Sequence, residues 1–177
     1  TVVLSGITVT NGSEYSGGGV LNSGTLTVTN STISGNWADG RGGGIFNSGA
    51  LTVADSMLSG NRTWRGGGIY SLGTLTVANS TLAGNTADYS GGGIYSSGAL
   101  TVTNSTLSGN SAEDYGGGGI FNFGALTVAN STLSGNSAHV YGGGIFNSGS
   151  SSTATLNNTI VVGNAASPRA DIYHSSG

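Results

Sequence analysis

The side chains that could carry catalysis are few in this chain and show no catalytic pattern. The sequence has seven Asp and Glu residues, four basic residues that are all Arg, and two His. The only adjacent acids are Glu113 and Asp114, and neither His139 nor His174 stands in a sequence context that marks a catalytic pair. Lyases and glycosidases need clustered acids beside a basic residue, or two facing carboxylates. The sequence therefore predicts no catalytic residues and no enzyme activity.

Metal and cofactor chemistry is not indicated either. The chain has no Cys, so a thiolate metal site is excluded. Calcium-binding solenoids of the nonapeptide type carry an Asp in every turn, whereas the acids here are scattered. The sequence contains Gly-Gly-Gly triplets, but none is followed by the Gly-Lys-Ser or Gly-Lys-Thr of a phosphate-binding loop. We expect no metal site and no cofactor.

Aromatic and charged side chains collect in six short segments, residues 12–16, 37–41, 62–65, 86–90, 111–116 and 137–141. These segments hold both Trp, four of the seven Tyr, three of the four Arg and five of the seven acids. If they are loops stacked along one edge, that edge is a binding surface for sugar rings or a protein partner. The alternative is that the rings only cover the core. The candidate ligand-binding residues are Tyr15, Trp37, Arg41, Trp64, Arg65, Tyr89, Tyr115 and Tyr141.

The elements that position these segments follow a tight repeat. Glycine triplets, each followed by an aliphatic residue, begin at residues 17, 42, 66, 91, 117 and 142. In the first five copies a Gly-Asn pair starts 18 residues after the triplet begins, and the variation in repeat length falls in the segment that follows this pair. A period in the twenties predicts a solenoid in which each repeat forms one rung.

The repeat predicts strands rather than helices. Residues 25–29 read Thr-Leu-Thr-Val-Thr, which places Leu26 and Val28 on one face and the threonines on the other. Gly and Asn suit the bends between strands because they tolerate positive φ. We predict an all-β fold, a parallel β-helix of about seven rungs of about 25 residues. It forms a single domain over 1–177, with an irregular first rung (1–16), regular repeats (17–141), and an irregular last rung and tail (142–177) in which Pro168 breaks the pattern.

Equivalent positions predict ladders of like residues. The expected core consists of one Ile or Val ladder that contains Ile45, two ladders that contain Leu51 and Val53, and a fourth that contains Leu58. The Asn residues of the Gly-Asn pairs and those at the corner that contains Asn30 are expected to hydrogen-bond along the axis. One further column of large apolar residues lies one position after the Ile ladder. If exposed, it would form a stripe for lateral association, but we favour its partial burial. That column is Leu21, Phe46, Tyr70, Tyr95, Phe121 and Phe146.

A flat face is the second candidate site. The threonines between the Leu and Val ladders point outward and are flanked by Thr or Ala on either side. This arrangement resembles the ice-binding face of antifreeze solenoids, although Thr is also a favourable exposed strand residue. The column consists of Thr27, Thr52, Thr76, Thr101 and Thr127.

Two classes of partner are excluded by composition. Four basic residues against seven acids give no basic surface for nucleic acid. The longest apolar run is only a few residues, so no segment is expected to insert into a membrane. The sequence opens on Thr1 without a charged and apolar leader.

The Gly-Gly-Gly-Ile and Leu-Ser-Gly-Asn motifs resemble the repeats of bacterial right-handed parallel β-helix surface proteins. They are similar to the Gly-Gly-Ala-Ile and Phe-x-x-Asn repeats of polymorphic outer-membrane proteins and related adhesins, with Gly in place of Ala and Leu in place of Phe. This resemblance implies right-handedness and an extracellular or cell-surface location. We expect a non-catalytic structural or adhesion role. The variable segments would contact a glycan or protein surface, or the chain would self-associate laterally or end to end into filaments, because uncapped rungs favour stacking.

Overall fold

The computed structural model describes residues 1–167 and 171–175, and Pro168 lies outside these residues. The described chain is all-β and forms four stacks of parallel strands, with three sheets of seven strands and one of six. Each rung adds one strand to each sheet, except that the described part of the last rung adds none to the six-stranded sheet, so the chain winds as a parallel β-helix, as the repeat predicts. In the described residues there is no helix long and apolar enough to cross a membrane.

Two sheets follow the Leu and Val ladders, and they are numbered in the order in which the chain enters them. Sheet 1 contains Val2–Ser5, Thr25–Thr29, Ala50–Ala54, Thr74–Ala78, Leu100–Thr103, Ala125–Ala129 and Thr153–Asn157. Sheet 2 contains Thr8–Thr10, Thr32–Ser34, Met57–Ser59, Thr81–Ala83, Thr106–Ser108, Thr132–Ser134 and Ile160–Val162.

The other two sheets lie on either side of the glycine triplets. Sheet 3 contains Ser13–Ser16, Trp37–Arg41, Arg62–Arg65, Thr86–Ser90, Ser111–Ala112 and Ser137–Ala138. Sheet 4 contains Val20–Asn22, Ile45–Asn47, Ile69–Ser71, Ile94–Ser96, Ile120–Asn122, Ile145–Ser148 and Ile172–Ser175.

The first four variable segments form strands and the last two begin with two-residue strands, which corrects the prediction that they are loops. Their backbones pair with the rungs above and below, for example Arg62 with Trp37 and with Thr86. Backbone pairing needs no particular side chains, and one small residue per strand, such as Ala38 or Ala87, is enough to face the interior. Length differences between repeats are absorbed by register shifts within sheet 3. The candidate edge is therefore the outer face of a sheet.

The glycine triplets bring adjacent rungs into close contact. Gly42 has φ of 67°, which turns the chain from sheet 3 into sheet 4. A Cβ on Gly43 would lie 2.6 Å from a carbonyl oxygen of the next rung, and a Cβ on Gly44 would also lie 2.6 Å from one. The first glycine is therefore required by its φ angle, and the other two are required because there is no space for a side chain.

The four predicted core ladders are confirmed. The Ile, Leu and Val side chains of the central rungs form one continuous cluster, in which Val53, Leu58 and Ile69 are fully buried. Parallel pairing stacks each of them on its equivalent in the neighbouring rung, for example Leu51 on Leu75. Each rung is thus stabilised mainly by its two neighbours.

A ladder of buried asparagines runs along the corner between sheets 2 and 3, as predicted. Asn61 Nδ2 donates to Asn85 Oδ1 at 2.9 Å, and Asn85 Nδ2 donates to Asn110 Oδ1 at 3.0 Å. The same Oδ1 atoms accept from backbone N–H groups, and the Asn85 amide also donates to the Leu58 carbonyl at 3.0 Å. The ladder ends on a carboxylate, because Asn164 Nδ2 donates to Asp171 Oδ1. These amides satisfy backbone groups that burial would otherwise leave unpaired.

Replacing a buried ladder asparagine should destabilise the protein strongly. Asn85→Ala leaves the Leu58 carbonyl and the Asn61 N–H without their partners, so we expect a loss of about 2–4 kcal/mol in the free energy of unfolding. The matched control is Asn79→Gly in the exposed corner ladder, where φ is 49°. It should change stability by less than about 0.5 kcal/mol. Urea unfolding measures both, and equal losses would contradict the distinction.

Candidate functional site

Charge is confined almost entirely to one side of the β-helix. The strands of sheets 1 and 2 contain no charged residue. The strands of sheet 3 contain three acids and three arginines, namely Glu14, Asp39, Asp88, Arg41, Arg62 and Arg65. Arg62 contacts Asp88 at 2.8 Å and Glu113 at 3.6 Å on this surface. Sheet 3 is thus the chemically distinct face, as the concentration of charges in the variable segments indicates.

The predicted aromatic line is only partly formed. Trp64, Tyr89 and Tyr115 stack along the axis, with ring centroids 5.3 and 5.4 Å apart. Tyr141 pairs with Gly116, one position later, and makes an edge-to-face contact on Tyr115 at 5.8 Å. Trp37 is not part of the column, since it pairs in register with Arg62. Including Trp37 in the line was therefore wrong, because Trp37 begins its strand whereas Trp64 lies two residues after Arg62.

A glycine interrupts the column between Tyr15 and Trp64. The register places Gly40 at this level, where the next three rungs carry the rings of Trp64, Tyr89 and Tyr115. A Cβ on Gly40 would lie 3.1 Å from ring carbons of Tyr15, so the Tyr15 ring covers this glycine. The interruption leaves Tyr15 outside the continuous stack.

Exposure divides the candidate residues into two groups. Tyr15, Trp37 and Trp64 are 73%, 44% and 43% exposed. Tyr89 and Tyr115 are half-buried, because their ring faces are covered by neighbours in the stack. The surface available to a large partner is therefore at the first three rungs of sheet 3.

The half-buried rings pack against the aromatic column of sheet 4. Tyr70, Tyr95, Phe121 and Phe146 are buried outside the aliphatic core and form a second cluster. Tyr115 contacts Phe146 at 5.5 Å, and the Arg41 guanidinium lies 5.3 Å from the Tyr70 ring centroid. The prediction that this column is partly buried is confirmed, so these four rings form no exposed stripe for lateral association. Leu21, at the start of the column, is exposed.

The outer face of sheet 1 is regular. Its central threonines pair with one another from rung to rung, and the flanking positions carry Thr or Ala. The register thus brings Thr27, Thr52, Thr76, Thr101 and Thr127 into a single column. In the residues that the structure describes, no group of three or more His, Cys, Asp or Glu side chains is placed to hold a metal.

Comparison with known proteins identifies the family. Residues 1–161 match the family model described as right handed beta helix region. The chain belongs to the right-handed β-helix family. Neither a search of the curated proteins nor a search of the solved structures gave a match. The family assignment agrees with the parallel sheets and gives the handedness of the β-helix.

Sequence reasoning missed one feature of this β-helix, a pocket between the outer faces of sheets 3 and 4. Its residues include Ser90 and Phe123, which the sequence analysis did not select. Both differ from the residues at equivalent positions of other rungs. Ser90 occupies the position of Arg41 and Arg65 in the two preceding rungs, and Phe123 occupies the position of Ser48 and Ser97. These departures are the signal from which the pocket could have been found.

Burial in the aromatic cluster changes the ionisation of two phenols. Desolvation raises the pKa of Tyr95 above its usual value, and the neighbouring Tyr70 raises it further. Desolvation also raises the pKa of Tyr115, as do the tyrosines beside it. Both hydroxyls therefore stay protonated at neutral pH and can donate hydrogen bonds.

The raised pKa predicts a loss of stability at alkaline pH. The folded state favours the neutral Tyr95, so this contribution to stability is full below the unfolded-state pKa of about 10 and is lost as the pH rises through the folded-state value. Tyr95→Phe should reduce the fall in melting temperature above about pH 10. Phe is native to this column at Phe46 and Phe121. Tyr15→Phe, at an exposed ring, is the control, and an equal effect of both variants would contradict the prediction.

Proposed function

We propose that this β-helix is a non-catalytic adhesion module that binds a glycan through the exposed part of sheet 3. The observation that carries the proposal is the exposure of Tyr15, Trp37 and Trp64 on one face. Aromatic faces stack on the apolar faces of sugar rings. Among the described ring contacts, none covers Tyr15 or Trp37, and Trp64 is stacked only on Tyr89. This leaves aromatic surface free for a ligand.

Polar groups beside these rings suit the hydroxyl groups of a sugar. Asp39 lies two residues after Trp37 on the same strand and offers carboxylate acceptors. Arg62 stands next to Trp37 in the neighbouring rung, and its ion pair with Asp88 holds the guanidinium on this face. A few polar groups around exposed aromatic rings give orientation and specificity to a site that is otherwise apolar.

The rigid architecture supports a role in presentation. Backbone pairing between successive rungs holds the binding residues at fixed distances, so little conformational entropy is lost on contact with a partner. The resemblance of the repeats to those of bacterial surface proteins and adhesins supports an extracellular or cell-surface location. We include that location in the proposal.

The double variant Trp37→Ala/Trp64→Ala tests the adhesion role. Loss of two exposed rings should weaken glycan binding at least about tenfold, because each ring contributes on the order of 1 kcal/mol or more to a contact. A glycan array finds the ligand, and calorimetry measures the change. Met57→Ala, at a side chain of sheet 2 that is 46% exposed, is the control and should bind normally. A native protein that binds no glycan on the array would refute the proposal.

A second candidate function is ice binding by sheet 1. Its support is the uncharged array of threonines paired in register from Thr27 to Thr127. Rungs stack about 4.8 Å apart, and alternate residues of a strand lie about 6.6 Å apart, so hydroxyl and methyl groups repeat in two dimensions. A regular flat array of this kind can hold water molecules in an ordered layer.

Bulky charged residues on this face should abolish ice binding. Thr76→Arg/Thr101→Arg places two guanidinium groups at the centre of the array, and we expect the thermal hysteresis of the native protein to disappear. The matched control is Thr81→Arg/Thr106→Arg, which alters paired threonines of sheet 2 and should retain the hysteresis. Ordinary freezing of solutions of the native protein would eliminate this candidate.

A further inference from the structure

The pocket between sheets 3 and 4 arises where one outward column changes from large to small side chains. The residue before each glycine triplet points into the groove between these sheets. In five successive rungs this residue is Arg41, Arg65, Ser90, Gly116 and Tyr141. At Ser90 the side chain is too small to fill the groove, which leaves a pocket of about 290 Å³. This volume is at the lower end of the range for small-molecule sites.

Aromatic rings form the walls of the pocket. Tyr95 and Phe121, stacked at 5.1 Å, form the side that belongs to sheet 4, and Tyr89 and Tyr115 form the opposite side. Phe123 closes the end, with an edge-to-face contact on Phe121 at 4.9 Å. In the other rungs the position of Phe123 is a Ser or, once, a Leu. The aromatic closure is therefore specific to this rung.

Two polar groups in the pocket lack partners. The Ser90 side chain is fully buried, and its Oγ forms no hydrogen bond. Arg65, which pairs in register with Ser90, has a buried Nε that also lacks an acceptor. Burying such donors unpaired costs about 1–3 kcal/mol each. An oxygen acceptor that occupied the pocket would remove this cost.

The positive charge at the pocket is not neutralised by a neighbouring acid. The Arg65 guanidinium lies 4.8 Å from the Tyr89 ring centroid, a cation–π contact that fixes its position. In the part of the chain that the structure describes, neither Arg65 nor Arg41 forms an ion pair with a carboxylate. Asp88 and Glu113 instead contact Arg62. Charge at the pocket therefore favours an anion.

We propose that this pocket binds a small aromatic carboxylate. The carboxylate accepts hydrogen bonds from Arg65 and from the Ser90 hydroxyl, and the ring of the ligand packs among Tyr95, Phe121 and Phe123. A carboxylate fits better than a neutral acceptor because Arg65 supplies charge as well as a donor. A planar ring fits because it can make stacked or edge-to-face contacts with the rings that line the site. The pocket shares no lining residue with the glycan surface, which involves Trp37 and Trp64, but its wall residue Tyr89 stacks on Trp64.

Calorimetric titration of the full chain with phenylacetate tests this inference. We expect saturable binding with a dissociation constant of about 1 mM or tighter, as suits a ligand of this size. Phenylacetamide, which has the same shape without the charge, should bind at least about tenfold more weakly. A chain that shows no saturable binding of phenylacetate, or binds both probes equally, would overturn the proposal.

Three variants locate the binding in this pocket. Arg65→Gln should weaken phenylacetate binding at least about tenfold, because it removes the charge from the hydrogen bond. Phe123→Ser opens the pocket and should also weaken binding about tenfold, while it restores the residue found at Ser48 and Ser97 and thus preserves the fold. The control Arg62→Gln removes one arginine outside the pocket and should stay within about twofold. Equal losses for Arg62→Gln and Arg65→Gln would show a nonspecific charge effect and refute the site.

Discussion

The close contact of successive rungs at the glycine triplets is the constraint on which the rest of the structure depends. Gly43 and Gly44 leave no space for a Cβ between rungs, and their backbones hydrogen-bond to glycines of the next rung. This contact fixes the register on both sides of the triplet. The aliphatic ladders and the Asn61–Asn85 ladder then follow, since equivalent residues must stack on one another. One backbone constraint thus determines how a whole set of repeated side chains is stacked.

A binding site confined to particular rungs of such a scaffold requires that these rungs differ from their neighbours. The interior cannot vary without loss of packing, and sheets 1 and 2 carry uniform, uncharged outer faces. Sheet 3 differs because only one small residue per strand must face inward, which leaves its outer positions free. Gly40 interrupts the aromatic column, and Ser90 opens the groove. The chemically distinctive features of the molecule are therefore substitutions within columns.

Most of the fold could be predicted from the sequence, but less of the candidate site could. The period of the repeat predicts the rungs, the alternation of apolar and polar residues predicts the core ladders, and the Gly-Asn pairs predict the polar ladder. Each of these is a local pattern that the sequence repeats many times. The segments 37–41 and 62–65 could not be recognised as strands, since their composition resembles that of loops and backbone pairing stabilises them. The division of the aromatic residues into exposed rings such as Trp37 and half-buried rings such as Tyr89 was likewise not predictable.

The sequence by itself determined the solenoid, the residues of its core and the face on which charge and aromatic groups collect. These follow from the repeat, because identical rungs must place identical residues at equivalent positions. Only the tertiary structure decided which groups meet across columns. Trp37 leaves the aromatic line through a register difference, and Phe123, Ser90 and Arg65 come together from different strands and rungs. Such contacts depend on how two sheets meet at a corner, and that geometry is set by packing in three dimensions.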